Sequence, residues 1–532
     1  MQISRILQNI PKKIKSKPKK SSWLEEYNLI IGLEIHAQLN ASIKLFSTNE
    51  SIDSRVTNDF SKPNTSVSSF DASIPGTLPI LNKEPYWKAI KASLALDCAV
   101  SPTSSFDRKH YSYYDLPQGY QITQQYNPLA KDGFIQFNAN LDDNITRDFK
   151  VRLSRIQLEQ DTGKAYFHES SKTPLVDLNR CGVALIEIVT KPDMTSPIEA
   201  VSFVKKLRSI LRSIDVCNGN MEEGNLRADV NVNVQKKDNL ALKTPRVEIK
   251  NLNSLKSMTA AISGRGLSFN ERTDYEYERH ARAIQNGRLE DIQQDTLGWN
   301  VTDGQTFKMR SKEDAIDYRY MPDPNLRPVS VTEKELDEVR SKIEILPDQI
   351  RQRLISQYGL SARDVNVLLT VNEDLSGDES IINYFERLAQ VSKHPQLAVN
   401  WVIHELLGQL SQRHKSFKED IITVERLNEL ISLIEANQVT STAAKKVFSE
   451  MFDDTESSAS NILDRLDLRV LDGDKLEKVV NQAIEELPDE SNKARQGNEK
   501  VLRRIIGQVM KLAGGKADGS EVERALRQKL SL

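Results

Sequence analysis

Cysteine is scarce in this chain: three in 532 residues, Cys98, Cys181 and Cys217, far apart in sequence. That excludes a disulfide framework and any cysteine-rich zinc site built by this chain alone, and it fits a reducing compartment. No apolar run approaches the length of about 18 residues that a membrane span needs, so no membrane insertion is expected. Neither sign of charge dominates. Lys and Arg number 73 against 75 Asp and Glu, a formal net charge of −2. The chain is no polycation, and any nucleic-acid contact must rest on a local patch. Two phosphate-binding signatures are also missing. GxxxxGK followed by Ser or Thr does not occur, and no GxGxxG follows a strand. A nucleotide would have to be held by metal and side chains on a sheet. The run Ser170–Ser171–Lys172 lacks flanking glycines for a tight oxyanion loop, which leaves nucleophilic amidase chemistry without support.

What is present is alternation. In IGLEIHAQL, residues 31–39, the odd positions Ile31, Leu33, Ile35, Ala37 and Leu39 are apolar and the even ones are not. A period of two marks a strand with one buried face. It sends Glu34 and His36 the same way, about 7 Å apart. The pattern recurs. RIQLEQD aligns Arg155, Gln157, Glu159 and Asp161; LIEIV carries Glu187; DVNVNV aligns Asp229, Asn231 and Asn233; RVEIKN aligns Arg246, Glu248 and Lys250. For four of these five strands a water-facing sheet surface is the plainer explanation. Glu187 is different, because it interrupts the apolar run Ala184–Val189. A carboxylate there is desolvated, which is costly unless it is paired or binds a cation.

Acidic side chains with one histidine suit a hard, oxygen-seeking ion such as Mg²⁺ and not zinc. Basic groups lie between the acidic strands: Lys164, Arg180, Arg246 and Lys250. Carboxylates, a divalent ion and cations together are what phosphoryl transfer requires.

The chain changes character along its length. Residues 28 to about 325 read as β-rich. From about 331 the pattern is helical: Thr332 and Glu335 have capping-box spacing, as do Ser361 and Asp364. The polar stretch 452–460 reads as a linker within the helical part. From Lys493 to Lys516 there are seven basic residues and one acidic, Glu499. A solvated helix face and a phosphate-contacting surface explain that run equally. Ser520 and Glu523 predict the cap of a short terminal helix. At the other end, no acidic residue precedes Glu25, seven Lys and Arg are present, and Ile3, Ile6, Leu7 and Ile10 share a helical face. This predicts a mitochondrial import segment, with a basic arm as the alternative, since Pro11 and Pro18 limit the helix and Arg5 is the lone arginine.

The blocks IGLEIHAQL, PGTLPILNK, FDRKHYSYYDLPQGYQITQ, RIQLEQDTGK, VDLNRCGVALIEIV, NMEEGNLRADVNV, VEIKNLNS and MRSKEDAIDYRYMPDPNL run in order over residues 31–326. They resemble the B subunit of the aspartyl/glutamyl-tRNA amidotransferase, and the tail GGKADGSEVERALRQKL resembles that family's C-terminal module. The resemblance implies an α+β fold: an antiparallel-sheet cradle similar to the glutamine synthetase catalytic fold, then an all-α domain and a helical tail that grips tRNA. With the expected import segment taken as 1–25, it implies the cradle over 26–328, a helical domain over 329–410 and the tail over 411–532. It also implies a reaction. ATP phosphorylates the γ-carboxylate of glutamate on misacylated Glu-tRNA(Gln). Ammonia from a separate glutaminase of the amidase type, the family's A subunit, then displaces phosphate to give Gln-tRNA(Gln). A small third subunit completes the complex, and the location implied is the mitochondrial matrix.

Carried over block by block, Glu34, His36, Glu159 and Glu187 are the expected Mg²⁺ ligands and catalytic residues. Lys164, Arg180, Arg246 and Lys250 are the expected clamps for ATP phosphate or substrate. Tyr120 and Gln121 line the substrate path or serve the fold. The chain departs from the family pattern at Gln157 and Gln160, in a strand that usually reads His-Leu-Glu-Glu-Asp, which would remove a charge from the metal site. That departure motivates an alternative, a tRNA-binding scaffold whose kinase site has decayed. No structural zinc is expected, because Ser47, Ser68 and Asp71 stand near the positions of the cysteine knuckle found in many relatives. Residues 263–274 read as an insertion.

Overall fold

Alternation becomes a sheet where its apolar side can be covered. A computed structural model of the chain describes residues 26–530 except 52–61, 169–171, 251, 253, 264–275, 301, 303–304, 311–316, 374, 376–379 and 497. The expected import segment lies outside the described residues, as does all but the first residue of the expected insertion.

The first strands are β1 (Tyr27–Gln38), β2 (Ala99–Val100), β3 (Thr103–Ser104), β4 (Asp107–His110), β5 (Tyr120–Thr123) and β6 (Ala130–Lys131). They are followed by β7 (Phe134–Phe137), β8 (Phe149–Gln160), β9 (Lys164–His168), β10 (Thr173–Asp177), β11 (Ala184–Thr190) and β12 (Leu226–Lys236). The last are β13 (Val247–Lys250), β14 (Thr296–Asn300), β15 (Gln305–Arg310), β16 (Met321–Pro322) and β17 (Val329–Ser330). One large sheet runs β15-β14-β13-β12-β1-β11-β8-β6-β2, with β7 also paired to β8. Its pairs are antiparallel, as the sequence predicts, except β13 with β14, which run parallel. A parallel pair needs a crossover; here it contains the helices Leu255–Ser263 and Glu276–Gln285.

β1 sits at the centre, and burial alternates along its whole length, apolar side in. Ile31, Leu33 and Ile35 share one core with Ala89 and Ile90 of helix Lys83–Ala95, Phe203, Val204 and Leu207 of helix Pro197–Ser213, and Met258 and Ile262 of helix Leu255–Ser263. Each fully buried side chain of this size contributes about 1.5–3 kcal/mol. Helix Pro197–Ser213 starts where it does because Ser196 accepts from the Glu199 N–H and Pro197 needs no donor partner in the first turn. The helices cover one face of the sheet, and its charged rows are on the other.

The chain divides into two compact units, the first ending at Ile350 and the second Arg351–Leu532. Among the described residues the second unit is helical, with no strand. Its last four helices, Gly473–Glu486, Pro488–Arg495, Glu499–Leu512 and Gly519–Leu530, share a core that includes Val480, Ile505, Val509, Val522 and Leu526. The predicted capping box at Thr332 and Glu335 forms, with both reciprocal bonds. Ser361 caps likewise, accepting from the Asp364 N–H at 3.2 Å. The terminal helix corrects the sequence reading. Its cap is Asp518, which accepts from the Ser520 and Glu521 N–H groups at 2.8 and 3.3 Å. No helix among the described residues is long and apolar enough to cross a membrane.

Candidate active site

The polar face is organised by register. β1 places His36 opposite Arg227 of β12 on one side and opposite Glu187 of β11 on the other. Glu34 lies opposite Asp229 and Val189, and Glu187 lies opposite Gln157 of β8. Directly paired residues share a face. Arg227, Asp229, Glu34, His36, Glu187 and Gln157 therefore form one charged surface across four strands, with Glu159 two residues beyond Gln157.

Three of the four predicted ligands meet. Glu34, His36 and Glu187 each offer a ligand atom, all within 4.8 Å of one another. Glu159 stands at the edge, its Oε1 3.7 Å from His36 Nε2. Its Oε1 accepts from Gln121 Nε2 at 2.6 Å, and Tyr111 donates to Gln121 Oε1 at 2.8 Å. The other oxygen, Oε2, is buried and has no hydrogen-bond partner among the described residues. A buried carboxylate oxygen left open beside three converging ligand atoms fits a divalent ion with its waters. Glu187 accepts from Gln157 Nε2, which also donates to Thr123 Oγ1 at 3.0 Å. The glutamine that departs from the family pattern thus orients a ligand by a neutral bond.

Electrostatics agree with this geometry. Burial lowers the His36 pKa well below 6.5, and the charges of Arg227, Lys109 and Lys250 push it the same way. The imidazole is neutral at physiological pH, the form that binds a metal. Burial raises the Glu187 pKa, as do Glu159 and Glu34, against the pull of Lys109 and Arg155. A bound cation would favour the charged form of Glu187.

The four predicted clamps do not converge. Lys164 is exposed on the two-stranded ribbon β9–β10, its ammonium 4.7 Å from the Tyr166 ring centre. Arg246 is exposed and precedes β13, so it lies off the strand on which the sequence reading placed it. Arg180 bonds the Thr162 and Gly163 carbonyls at 3.0 and 2.6 Å and lies 3.5 Å from Asp161. Lys250 Nζ sits 2.6 Å from Asp229 and 3.1 Å from Glu248. Tyr120 lies under the Arg108 guanidinium, 4.1 Å from ring centre to Cζ.

Two further cations, not singled out from the sequence, act on the acidic cluster. Lys109 lies 4.9 Å from the Tyr318 ring centre. Burial alone would lower its pKa, but the charge of Glu159, then Tyr320 and Glu187, outweighs this and raises it. Arg227 is the other. Its signal was available: extending the DVNVNV alternation two residues back from Asp229 reaches it on the same face.

The region of Ser47, Ser68 and Asp71 is tied by a buried ion pair. Lys44 Nζ, wholly buried, lies 3.0 Å from Asp71 Oδ2 and donates to the Ser66 carbonyl at 2.7 Å. Ser47 Oγ and the Ser68 N–H reach the same Asp71 oxygen at 3.3 and 3.0 Å. Gly182, at φ 80°, lets this carboxylate in; a Cβ there would lie 2.7 Å from Asp71 Oδ1.

A mixed sheet backed by helices, with carboxylates and a neutral imidazole converging on its polar face, defines an α+β domain. The family whose description is "GatB/GatE catalytic domain" matches residues 29–337, and the "GatB domain" matches residues 383–530. Among similar proteins is the B subunit of the mitochondrial glutamyl-tRNA(Gln) amidotransferase of Mycosarcoma maydis, 38% identical over 95% of this chain and 86% of that protein. Others are the B subunits of the aspartyl/glutamyl-tRNA(Asn/Gln) amidotransferases of Rickettsia bellii, 40% identical over 95% of this chain and 98% of that protein, and of Wolbachia pipientis wMel, 41% identical over 95% and 99%. The chain belongs to the GatB family, the B subunits of ligase-type tRNA amidotransferases.

Proposed function

We propose that this chain is the kinase subunit of a mitochondrial glutamyl-tRNA(Gln) amidotransferase. The observation that carries this reading is the convergence of Glu34, His36 and Glu187 beside the open oxygen of Glu159. The γ-phosphoryl group of ATP passes to a γ-carboxylate oxygen of tRNA-linked glutamate, and ADP leaves. Ammonia, released from glutamine by a partner glutaminase, attacks the acyl phosphate and expels inorganic phosphate. The product is Gln-tRNA(Gln). A small third subunit completes the complex.

Glu34, His36 and Glu187, with Glu159, would hold Mg²⁺, which when bound neutralises charge on the phosphate oxygens. Gln157 fixes Glu187, and Gln121 fixes Glu159. His36, kept neutral by burial and nearby cations, presents a lone pair and takes no proton at neutral pH. Lys109 offsets the charge of the Glu159 and Glu187 carboxylates. Arg180 and Lys250 act by holding Asp161, Asp229 and the Thr162–Gly163 backbone in place. The tail helices offer Lys493, Arg495, Lys500, Arg503, Arg504 and Lys511, all exposed, as the tRNA-contacting surface. Against a decayed scaffold stands Gln157, whose amide bonds the ligand it neighbours in place of a charge.

The test is to purify the tagged chain from its native cell with whatever accompanies it and assay Gln-tRNA(Gln) formation from Glu-tRNA(Gln), ATP and Mg²⁺. Glu187→Gln should abolish acyl-phosphate formation and leave tRNA binding largely intact. Normal transamidation by that variant would sink the ligand assignment. ATP turnover absent from the wild-type complex would favour the scaffold.

A further inference from the structure

A transferred phosphoryl group carries negative charge that carboxylate ligands repel, so a site of this kind needs a cation with free donors at the acidic cluster. Of the groups on the polar face, Lys250 is engaged by two carboxylates and Arg180 by two carbonyls and Asp161. Arg227 is placed differently. It is the direct cross-strand neighbour of His36. Its Nη2 donates to Asp161 Oδ2 at 2.9 Å, which fixes the plane of the guanidinium. Its Nε is buried and has no hydrogen-bond partner among the described residues. The side chain as a whole remains 38% exposed, so the tethered group is still in reach of solvent.

An orphaned donor of a permanent cation is costly to bury unless something fills it. Asp161 is itself 5% exposed and lies at the end of β8, held by both Arg227 and Arg180. Arg155 has a similarly unpartnered Nε, but it stands opposite Val189 and acts on Glu187 by charge. It is not the neighbour of His36.

We infer that Arg227, oriented by Asp161, is a phosphoryl-binding residue of this site, donating to oxygens of the γ-phosphate of ATP and of inorganic phosphate. This rests on the reading that the site handles a phosphoryl group. Arg227 bonds the ligand, and Asp161 is a positioning residue that acts through it.

The experiment uses the purified complex containing the full chain. Equilibrium binding of ATP and of inorganic phosphate, each with Mg²⁺, is measured for wild type, Arg227→Ala, Arg227→Lys and Asp161→Asn, with melting temperatures alongside. Arg227→Ala should weaken both ligands by about ten-fold or more, the loss of one bond from a charged donor. Millimolar guanidinium should restore much of that loss, because the vacated space is open to water. Arg227→Lys should fall between, since an ammonium lacks the fork. Asp161→Asn should weaken ATP binding less than Arg227→Ala does, and guanidinium should not repair it. Equal ATP affinity in wild type and Arg227→Ala overturns the assignment. So does a loss that guanidinium leaves unrepaired and that tracks a lowered melting temperature, which would mark a merely structural arginine. A wild-type complex that binds no ATP overturns the proposed function itself.

Discussion

Single side chains decide how the segments carrying Lys44 and Asp71 are fastened together. Lys44 and Asp71 are both about fully buried, and their mutual attraction offsets the cost of dehydrating each. Removing one charge leaves the other stranded. Lys44→Met should destabilise the fold by about 3–5 kcal/mol, measured by denaturant unfolding, whereas pairing it with Asp71→Leu should recover much of that loss. At this scale the sequence was uneven. Glu34, His36 and Glu187 were legible because long alternating strands fix which way each side chain points. Lys109 was not, since β4 is four residues long and all four, Asp-Arg-Lys-His, are polar, which leaves no period to read. Arg227 was overlooked at the start of a row that was otherwise read correctly. Lys250 was legible as a cation but not as one already engaged, because cross-strand ion pairs depend on register.

Helices show what capping rules can and do miss. Thr332 and Ser361 cap as their spacing predicts, but at the last helix Asp518 outcompetes Ser520 for the first-turn donors. Both residue types cap well, so spacing alone could not choose between them. Asp518→Ala should cost about 1 kcal/mol and Ser520→Ala within about 0.5 kcal/mol, read from thermal unfolding. Helix Glu276–Gln285 gives a prediction with a sign. Burial would raise the Glu276 pKa, but bonds from His280 and Arg279 outweigh it and hold the carboxyl at about 2, below its usual 4.5. Burial lowers the pKa of His280 from 6.5, with Glu276 opposing. The unfolded chain therefore binds more protons than the folded one on the acid side. Stability from His280 is full above pH 6.5 and declines as pH falls through that value. Stability from Glu276 is full above 4.5 and is lost toward 2. The melting temperature should fall as pH drops from 7 toward 2, with no comparable change on the alkaline side of 7 from this pair, and Glu276→Gln should flatten the part of the curve below 4.5. The single parallel joint, β13 with β14, was illegible from pattern, because pairing direction is set by the crossover and not by alternation.

For the whole molecule, near-zero net charge conceals a local asymmetry. Lys500, Arg503 and Lys511 fall on the exposed side of helix Glu499–Leu512, opposite the core residues Leu502, Ile505 and Val509. If all three are replaced by Ala, tRNA affinity should fall and the slope of log affinity against log salt should shrink by about one for each phosphate contact removed. Sequence composition alone left a solvated face and a nucleic-acid surface evenly matched. The packing adds that these cations are not needed by the core, which leaves them available to a ligand. The buried Lys44–Asp71 tie has one more consequence. Its crosslink is made of an ammonium and a carboxylate, so EDTA has nothing to extract there. Chelation should silence turnover and lower this unit's melting temperature only by what bound Mg²⁺ adds to its stability, without undoing the Lys44–Asp71 tie, and added Mg²⁺ should revive activity without any refolding delay.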